Sequence, residues 1–175
     1  MRTRFTANTA SLLLVIIAAL VLLAAAAFAA PITARVVGVH DGDTITVLTP
    51  DKRQIKIRFA EIDAPELSQP YGKKAKQLLS RMVYGKEVSI TPVTTDKYRR
   101  IVARVSQGNH DINLALVQSG AAWAYRKYLT DPAFLEAEAE ARNARSGLWA
   151  LQPGQIMPPW EWRHAKRMPA KTFPR

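Results

Sequence analysis

The chain has 175 residues, enough for one domain of ordinary size with terminal extensions. It contains no cysteine, which excludes disulfides, zinc–thiolate sites and thiol nucleophiles, so any metal must be bound by oxygen or imidazole. Lysine and arginine total 25 and aspartate and glutamate 14, which gives a net charge of +11. Such a domain attracts polyanions, most commonly nucleic acid, although a basic surface that only maintains solubility is the alternative.

The N-terminus carries a targeting signal. Two arginines precede a continuous apolar run over residues 11–30, which ends in Ala27-Phe28-Ala29, a small-x-small pattern that signal peptidase accepts. We therefore predict a signal peptide over 1–29. Because the run is about long enough to span a bilayer, an uncleaved membrane anchor is the alternative. In either case we expect export, to the periplasm or the extracellular medium.

The segment after this signal is predicted to form strands. β-Branched residues are frequent over 32–39 and 44–48, which predicts two strands. Strict alternation over 55–59 predicts a third, with Arg58 on the face opposite the apolar row. Two prolines within 63–70 predict a loop after it.

Helices are interleaved with further strands in the second half. Apolar residues at helical spacing predict a helix over 72–84, and two more strands are expected over 87–93 and 101–105. A short helix over 111–119 and another that begins at Asp131-Pro132, an N-cap followed by proline, complete the pattern. Short strands with late helices are typical of an α+β fold with a small barrel.

The composition changes after Trp149. Several prolines, a Trp-Glu-Trp segment and scattered basic residues predict an irregular basic tail over 150–175. We expect this tail to pack its tryptophans on the domain and then to fray. The globular domain is accordingly predicted over 30–149.

Three polar clusters carry the candidate chemistry, and each of them alone could be a solvated turn. The first contains Asp41-Gly42-Asp43-Thr44, the second runs from Arg58 to Glu66 as R-x4-D-x-P-E, and the third is Asp96-Lys97-Tyr98-x-Arg100. In this order and spacing they resemble the staphylococcal nuclease (thermonuclease) family, and Gly147-Leu148-Trp149 continues the resemblance.

The resemblance covers about residues 32–149 and implies a fold. The family fold is a small five-stranded OB-type β-barrel with about three packed α-helices, which agrees with the α+β pattern described above. OB-type barrels commonly bind nucleic acid across one face and its loops. The resemblance therefore implies DNA and RNA as substrates, and we expect the protein to be a monomer.

The resemblance also implies a calcium site. Asp43 and Asp63 match the carboxylate ligands, and the backbone carbonyl of Ala64 matches a further ligand. The family often has threonine at the position of Ala64, and a carbonyl ligand survives that change. Calcium takes several oxygen ligands, so few carboxylates leave room for water and a phosphate oxygen.

Catalytic roles follow from the same match. Glu66 corresponds to the residue that orients or deprotonates the attacking water, and Arg58 and Arg100 to the residues that bind the phosphate. A guanidinium suits this role because its planar fork bonds two oxygens and stays protonated. Family enzymes break the bond to the 5′ oxygen and leave 3′-phosphates, so catalysis depends on positioning and electrostatics.

Four further residues match substrate-binding positions. Lys97 and Tyr98 correspond to residues that contact a terminal phosphate and line the nucleotide pocket. Tyr125 and Tyr128 lie where the family has pocket tyrosines, with Tyr128 the better match and burial in the core the alternative.

One position departs from the family pattern. Arg99 stands where the family commonly has glycine. If the turn needs a positive φ there, the arginine is strained and Arg100 could be displaced. Alternatively Arg99 adds a phosphate contact. We assign the phosphate-binding role to Arg100.

Two other functions are compatible with the sequence. Some copies of this domain have lost their catalytic residues and only bind nucleic acid or protein, but the complete set present here argues against that function. A membrane-anchored basic interaction protein would follow if the N-terminal run were retained.

Overall fold

The computed structural model describes residues 31–167, which form eight strands and four α-helices. The strands are β1 (Ile32–Val39), β2 (Thr44–Leu48), β3 (Gln54–Phe59), β4 (Ile62–Asp63), β5 (Glu87–Thr95), β6 (Ile101–Gln107), β7 (His110–Asp111) and β8 (Trp123–Ala124). The helices are α1 (Gly72–Val83), α2 (Ile112–Gln118), α3 (Ala133–Asn143) and α4 (Pro159–Arg167).

Five strands close into a mixed barrel. Neighbours in the order β3-β2-β1-β5-β6 pair antiparallel, and β3 pairs with β6 in parallel, with Ile57 opposite Ile101. The short β7 extends the edge of β6, and β4 pairs separately with β8. The predicted α+β fold with an OB-type barrel is therefore confirmed.

The core lies inside the barrel and beneath the first helix. Alternation places Ile57 and Phe59 of β3 in the interior, each at most 1% exposed. Helix α1 covers the barrel with the stripe Ala75, Leu79 and Val83, which is fully buried. A second cluster joins Trp123 to Trp149, whose rings meet edge to face at 4.5 Å.

The C-terminal segment differs from its prediction. Instead of an irregular tail it contains α4, with Pro159 at the first helical position, where proline is favoured because no backbone N–H is needed. The expected packing of its tryptophans is confirmed for Trp160, whose ring stacks on Tyr125 at 5.3 Å and meets Trp123 edge to face at 5.7 Å.

Polar contacts also attach this segment to the loop that precedes α1. The Gln69 side-chain amide donates a hydrogen bond to the carbonyl of Met157 at 2.5 Å, and the Lys166 ammonium donates to the Ser68 hydroxyl at 2.7 Å. The segment that contains α4 is thus attached to this loop both before the helix begins and near its end.

Within residues 31–167, none of the helices is long and apolar enough to cross a membrane. The predicted signal peptide or anchor lies outside the described residues.

Candidate active site

The three polar clusters meet at one cavity of about 940 Å³. Acidic and basic side chains are equally numerous in its lining. The acidic ones are Asp41, Asp43, Glu61, Asp63, Glu66 and Asp96, and the basic ones are Arg58, Lys97, Arg100, Arg104, Arg163 and Arg167. The charges of these lining side chains therefore nearly cancel.

Asp43 is held by the turn between β1 and β2. Its carboxylate accepts hydrogen bonds from the Ala64 N–H at 2.6 Å and from the Thr44 hydroxyl at 3.1 Å. The Asp43 N–H in turn donates to the Asp41 carboxylate at 3.0 Å. Asp41 thus shapes the turn, and burial followed by the charge of Asp43 raises the pKa of Asp41 to about 7.

A glycine lets this turn approach the second cluster. A Cβ at Gly42 would lie 2.6 Å from the Cβ of Ala64 and 2.9 Å from that of Ala75. Any larger residue would push the turn away from α1 and from the end of β4. Close contact between the two acidic clusters therefore requires glycine at this position.

Asp63 ends β4 and is only 1% exposed. Burial raises the pKa of its carboxyl group, the charge of Asp43 adds to this, and the guanidinium groups of Arg163 and Arg58 oppose it. A buried carboxylate of this kind needs a cation beside it to remain ionised.

Arg58 joins the two aspartates. Its Nη2 lies 2.9 Å from Asp63 Oδ1 and 3.2 Å from Asp43 Oδ2, so one nitrogen contacts both carboxylates. Its Nη1 donates to the carbonyls of Phe59 and Ile62 at 2.6 and 2.9 Å. The side chain is thereby fixed at the base of the cavity.

Glu66 lies in the loop between β4 and α1. Its N–H donates to the Gln69 side chain at 3.2 Å, and its Oε1 accepts from Arg163 Nη1 at 2.9 Å. A Cβ at Gly72 would lie 1.8 Å from the Glu66 carbonyl oxygen, so the loop can pass the start of α1 only because residue 72 is glycine. The Glu66 carboxylate is partly exposed and can reach water.

Arg100 is positioned by the loop before β6. The Asp96 carboxylate accepts from the N–H groups of Tyr98 and Arg100 at 2.8 and 3.0 Å, and from Arg100 Nε at 2.7 Å. Arg99 has φ of 63°, so the anticipated positive φ is present. Arg100 nevertheless lines the cavity, and Arg99 lies outside the lining.

The predicted substrate-binding residues line the same cavity. Tyr98 and Tyr128 are 64% and 57% exposed, and Lys97 lies 5.1 Å from the Tyr98 ring. Tyr125 is half-buried, since Trp160 stacks on one face of its ring. Burial in the core, the alternative considered for these tyrosines, does not occur for Tyr128.

Glu61 fixes the loop that carries the tyrosines. Its carboxylate accepts hydrogen bonds from the N–H groups of Thr130 and Asp131 at 2.7 and 3.0 Å, from the Thr130 hydroxyl at 2.6 Å, and from Arg104. Glu61 is buried and has φ of 63°. Its role is to hold the far wall of the cavity.

Arg163 is the residue that the sequence analysis missed. Its guanidinium contacts Asp63 at 2.7 Å and Glu66 at 2.9 Å, a hundred residues away along the chain in the first case. A proline followed by tryptophan at the start of α4 could have indicated the helix, but no sequence signal indicates the contact itself.

The donor set is compatible with calcium. Asp43 and Asp63 bring two buried carboxylates within 3.2 Å of one guanidinium nitrogen, so their oxygens converge on a positive charge. In the described part of the chain, no three Asp, Glu, His or Cys side chains form a metal cage by themselves. Carbonyl, water and phosphate oxygens would therefore complete the coordination.

An OB-type barrel with paired carboxylates and several arginines in one cavity is suited to bind an anionic, phosphate-containing substrate. Comparison with known proteins identifies the family. The model of the family described as staphylococcal nuclease homologue matches residues 56–151. The chain belongs to this family.

Individual relatives agree with the family match. The chain is 42% identical over 146 residues to an uncharacterized endonuclease of Haemophilus influenzae, covering 81% of each protein. It is 41% identical over 138 residues to an uncharacterized endonuclease of Escherichia coli, covering 78% of this chain and 88% of the relative. A micrococcal nuclease of Shigella flexneri is 40% identical over 149 residues, covering 79% of this chain and 84% of that protein.

Proposed function

We propose that the protein is an exported, monomeric nuclease that uses calcium to hydrolyse phosphodiester bonds of DNA and RNA and leaves 3′-phosphates. The observation that supports this most strongly is the shared contact of Arg58 with Asp43 and Asp63. It brings a phosphate-binding group and two oxygen ligands to the cavity that Glu66 and Arg100 also line. Family membership supports the nuclease activity.

The side chains divide the reaction between them. Asp43, Asp63 and the Ala64 carbonyl would hold calcium, which supplies positive charge beside the phosphate oxygens. Glu66 orients the attacking water and accepts its proton. Arg58 and Arg100 bind the phosphate oxygens and stabilise the charge that develops on them.

The product follows from which bond is broken. Water adds to phosphorus, the bond to the 5′ oxygen breaks, and the leaving oxygen takes a proton, so the phosphate stays on the 3′ side. None of the groups in the cavity needs the ribose 2′-hydroxyl, which is why we expect both DNA and RNA to be cleaved. Tyr98, Tyr125 and Tyr128 offer rings on which bases can stack.

The purified protein tests this directly. It is incubated with single-stranded DNA and RNA in calcium and in excess chelator, and the new ends are analysed for 3′-phosphate. Cleavage of both polymers only in calcium is expected. Equal activity in chelator, or 5′-phosphate ends, would contradict the proposed chemistry.

A further inference from the structure

An arginine from the C-terminal helix occupies the candidate site. Arg163 Nη2 lies 2.7 Å from Asp63 Oδ2, and its Nη1 lies 2.9 Å from Glu66 Oε1 and 3.2 Å from Asp63 Oδ1. Its side chain is 35% exposed and lines the cavity. Helix α4 follows the residues 56–151 that the family model matches, so the family match assigns this arginine no role.

Arg58 provides an internal comparison. Asp63 Oδ1 accepts hydrogen bonds from both Arg58 Nη2 and Arg163 Nη1. Two guanidinium groups therefore contact the same carboxylate oxygen. Arg58 is assigned to phosphate binding although it is paired with carboxylates here, so an equivalent pairing of Arg163 is compatible with the same role.

Repulsion by a divalent cation would change the contacts of Arg163. A divalent cation on Asp43 and Asp63 would neutralise their carboxylates and repel a guanidinium beside them. Glu66 would stay beside that guanidinium, and a phosphate of a nucleic-acid chain in the cavity would replace Asp63 as its second anionic partner. With a divalent cation added, the lining gains an excess of positive charge, which favours a polyanion.

We propose that Arg163 is a further substrate-binding residue, which binds a phosphate of the nucleic-acid chain when calcium occupies Asp43 and Asp63. The inference rests on the proposed function and extends the site beyond the matched domain. The anchoring of α4 keeps the guanidinium at the cavity when it leaves Asp63, because Trp160 stacks on Tyr125 and Lys166 bonds to Ser68.

The test measures binding separately from catalysis. The probe is a fluorescent single-stranded oligonucleotide in which methylene groups replace the bridging 5′ oxygens, so that its charge is kept but that bond cannot be hydrolysed. Fluorescence anisotropy in calcium is expected to show about tenfold weaker binding for Arg163→Ala. The slope of log affinity against log salt should become less steep by about 0.7, because one phosphate contact is lost.

Two other variants serve as controls. Lys73→Ala removes one positive charge from an exposed position on α1 outside the cavity lining, so it should bind the oligonucleotide within about twofold of wild type. Arg163→Lys should keep the salt slope but recover only part of the affinity, because lysine lacks the planar fork. If Arg163→Ala does not fold, the oligonucleotide affinity of Arg163→Lys tests the inference in its place.

Calcium titration by calorimetry without nucleic acid gives a second readout. Arg163→Ala should bind calcium more tightly than wild type, because a competing cation is removed from Asp63. Unchanged oligonucleotide affinity and salt slope in Arg163→Ala, with a wild type that binds and cleaves normally, would overturn the inference alone. Higher activity at low calcium with unchanged oligonucleotide binding would make Arg163 an inhibitory counter-ion instead. A wild-type protein that binds no oligonucleotide in calcium would remove the proposed function and this inference together.

Discussion

Single residues in the site differ in how far their surroundings fix them. Arg58 is fixed by four contacts to carbonyls and carboxylates, whereas Glu66 is partly exposed and has one charged partner, Arg163. An exposed carboxylate beside the site is the group best placed to exchange a proton with water.

Replacement of Glu66 by glutamine should lower kcat by on the order of a hundredfold or more, because the amide keeps the shape but cannot accept the proton. Affinity for the uncleavable oligonucleotide should stay nearly unchanged. Single-turnover kinetics and anisotropy on the same preparations measure the two effects. A kcat within a few fold of wild type would show that another group activates the water.

Replacement of each of the adjacent arginines 99 and 100 should have a different effect on the kinetics. Arg100→Ala should collapse kcat at saturating substrate, because loss of a group that stabilises transition-state charge costs about 3 kcal/mol. Arg99→Ala should leave kcat largely intact and weaken substrate capture, with lower salt sensitivity. Position 99 carries a residue other than glycine in both variants, so the backbone strain of its φ of 63° is the same in each. Reversed results would place Arg99 in the catalytic role.

At the scale of elements, Glu61 connects β4 to the loop with the tyrosines. Burial alone would raise the pKa of Glu61, but hydrogen bonds from Thr130, Arg104 and Asp131 outweigh it and lower the pKa. A carboxylate with a lowered pKa stabilises the fold above the ordinary pKa of about 4.3, and this stability is lost as the pH falls through the lowered value.

Glu61→Gln should therefore be destabilised by about 1–2 kcal/mol at neutral pH, as expected for losing charge-assisted hydrogen bonds. The difference in free energy of unfolding between Glu61→Gln and wild type should become smaller as the pH falls below 4. Denaturant unfolding at several pH values measures both, with Glu136→Gln on the exposed face of α3 as the control. A deficit that does not depend on pH would mean that shape rather than charge stabilises this loop.

The elements with clear periodicity could be predicted from sequence. Strands β1 and β2 begin and end where expected, because alternating or β-branched runs specify a half-buried strand. Strands β4 and β8 have two residues each, which is too short for any periodicity. The prolines of the C-terminal segment predict no helix because proline usually breaks one, but Pro159 stands at the first position of α4, where proline is tolerated.

The grouping of the candidate site residues in space was predictable to a similar extent. The motif spacing predicts one site that contains Asp43, Arg58, Asp63, Glu66 and Arg100. All five of these residues line one cavity. The partners of Glu61 and the contact between Arg163 and Asp63 depend on tertiary packing between distant segments. Such contacts leave no local pattern, so only the structure reveals them.

For the complete chain, export should remove the N-terminal segment. Mass spectrometry of protein recovered from the producing cell should show a new N-terminus near Ala30, the first residue after Ala27-Phe28-Ala29. The charge then falls from +11 by two, since residues 1–29 contain two arginines and no acid. Recovery of intact Met1 species alone, in the membrane fraction, would support an anchor instead.

Activity also depends on the parallel pairing of β3 with β6, which closes the barrel. This pairing sets Arg58 opposite Val102, two residues after Arg100, so the seam of the barrel lies beside the two arginines proposed to bind phosphate. The joined segments are more than forty residues apart, and contacts this distant in sequence are costly in loop entropy and slow to form. Opening of this one seam would abolish catalysis while the β1–β2–β3 meander could stay intact, so activity should be lost earlier in denaturant than most secondary structure.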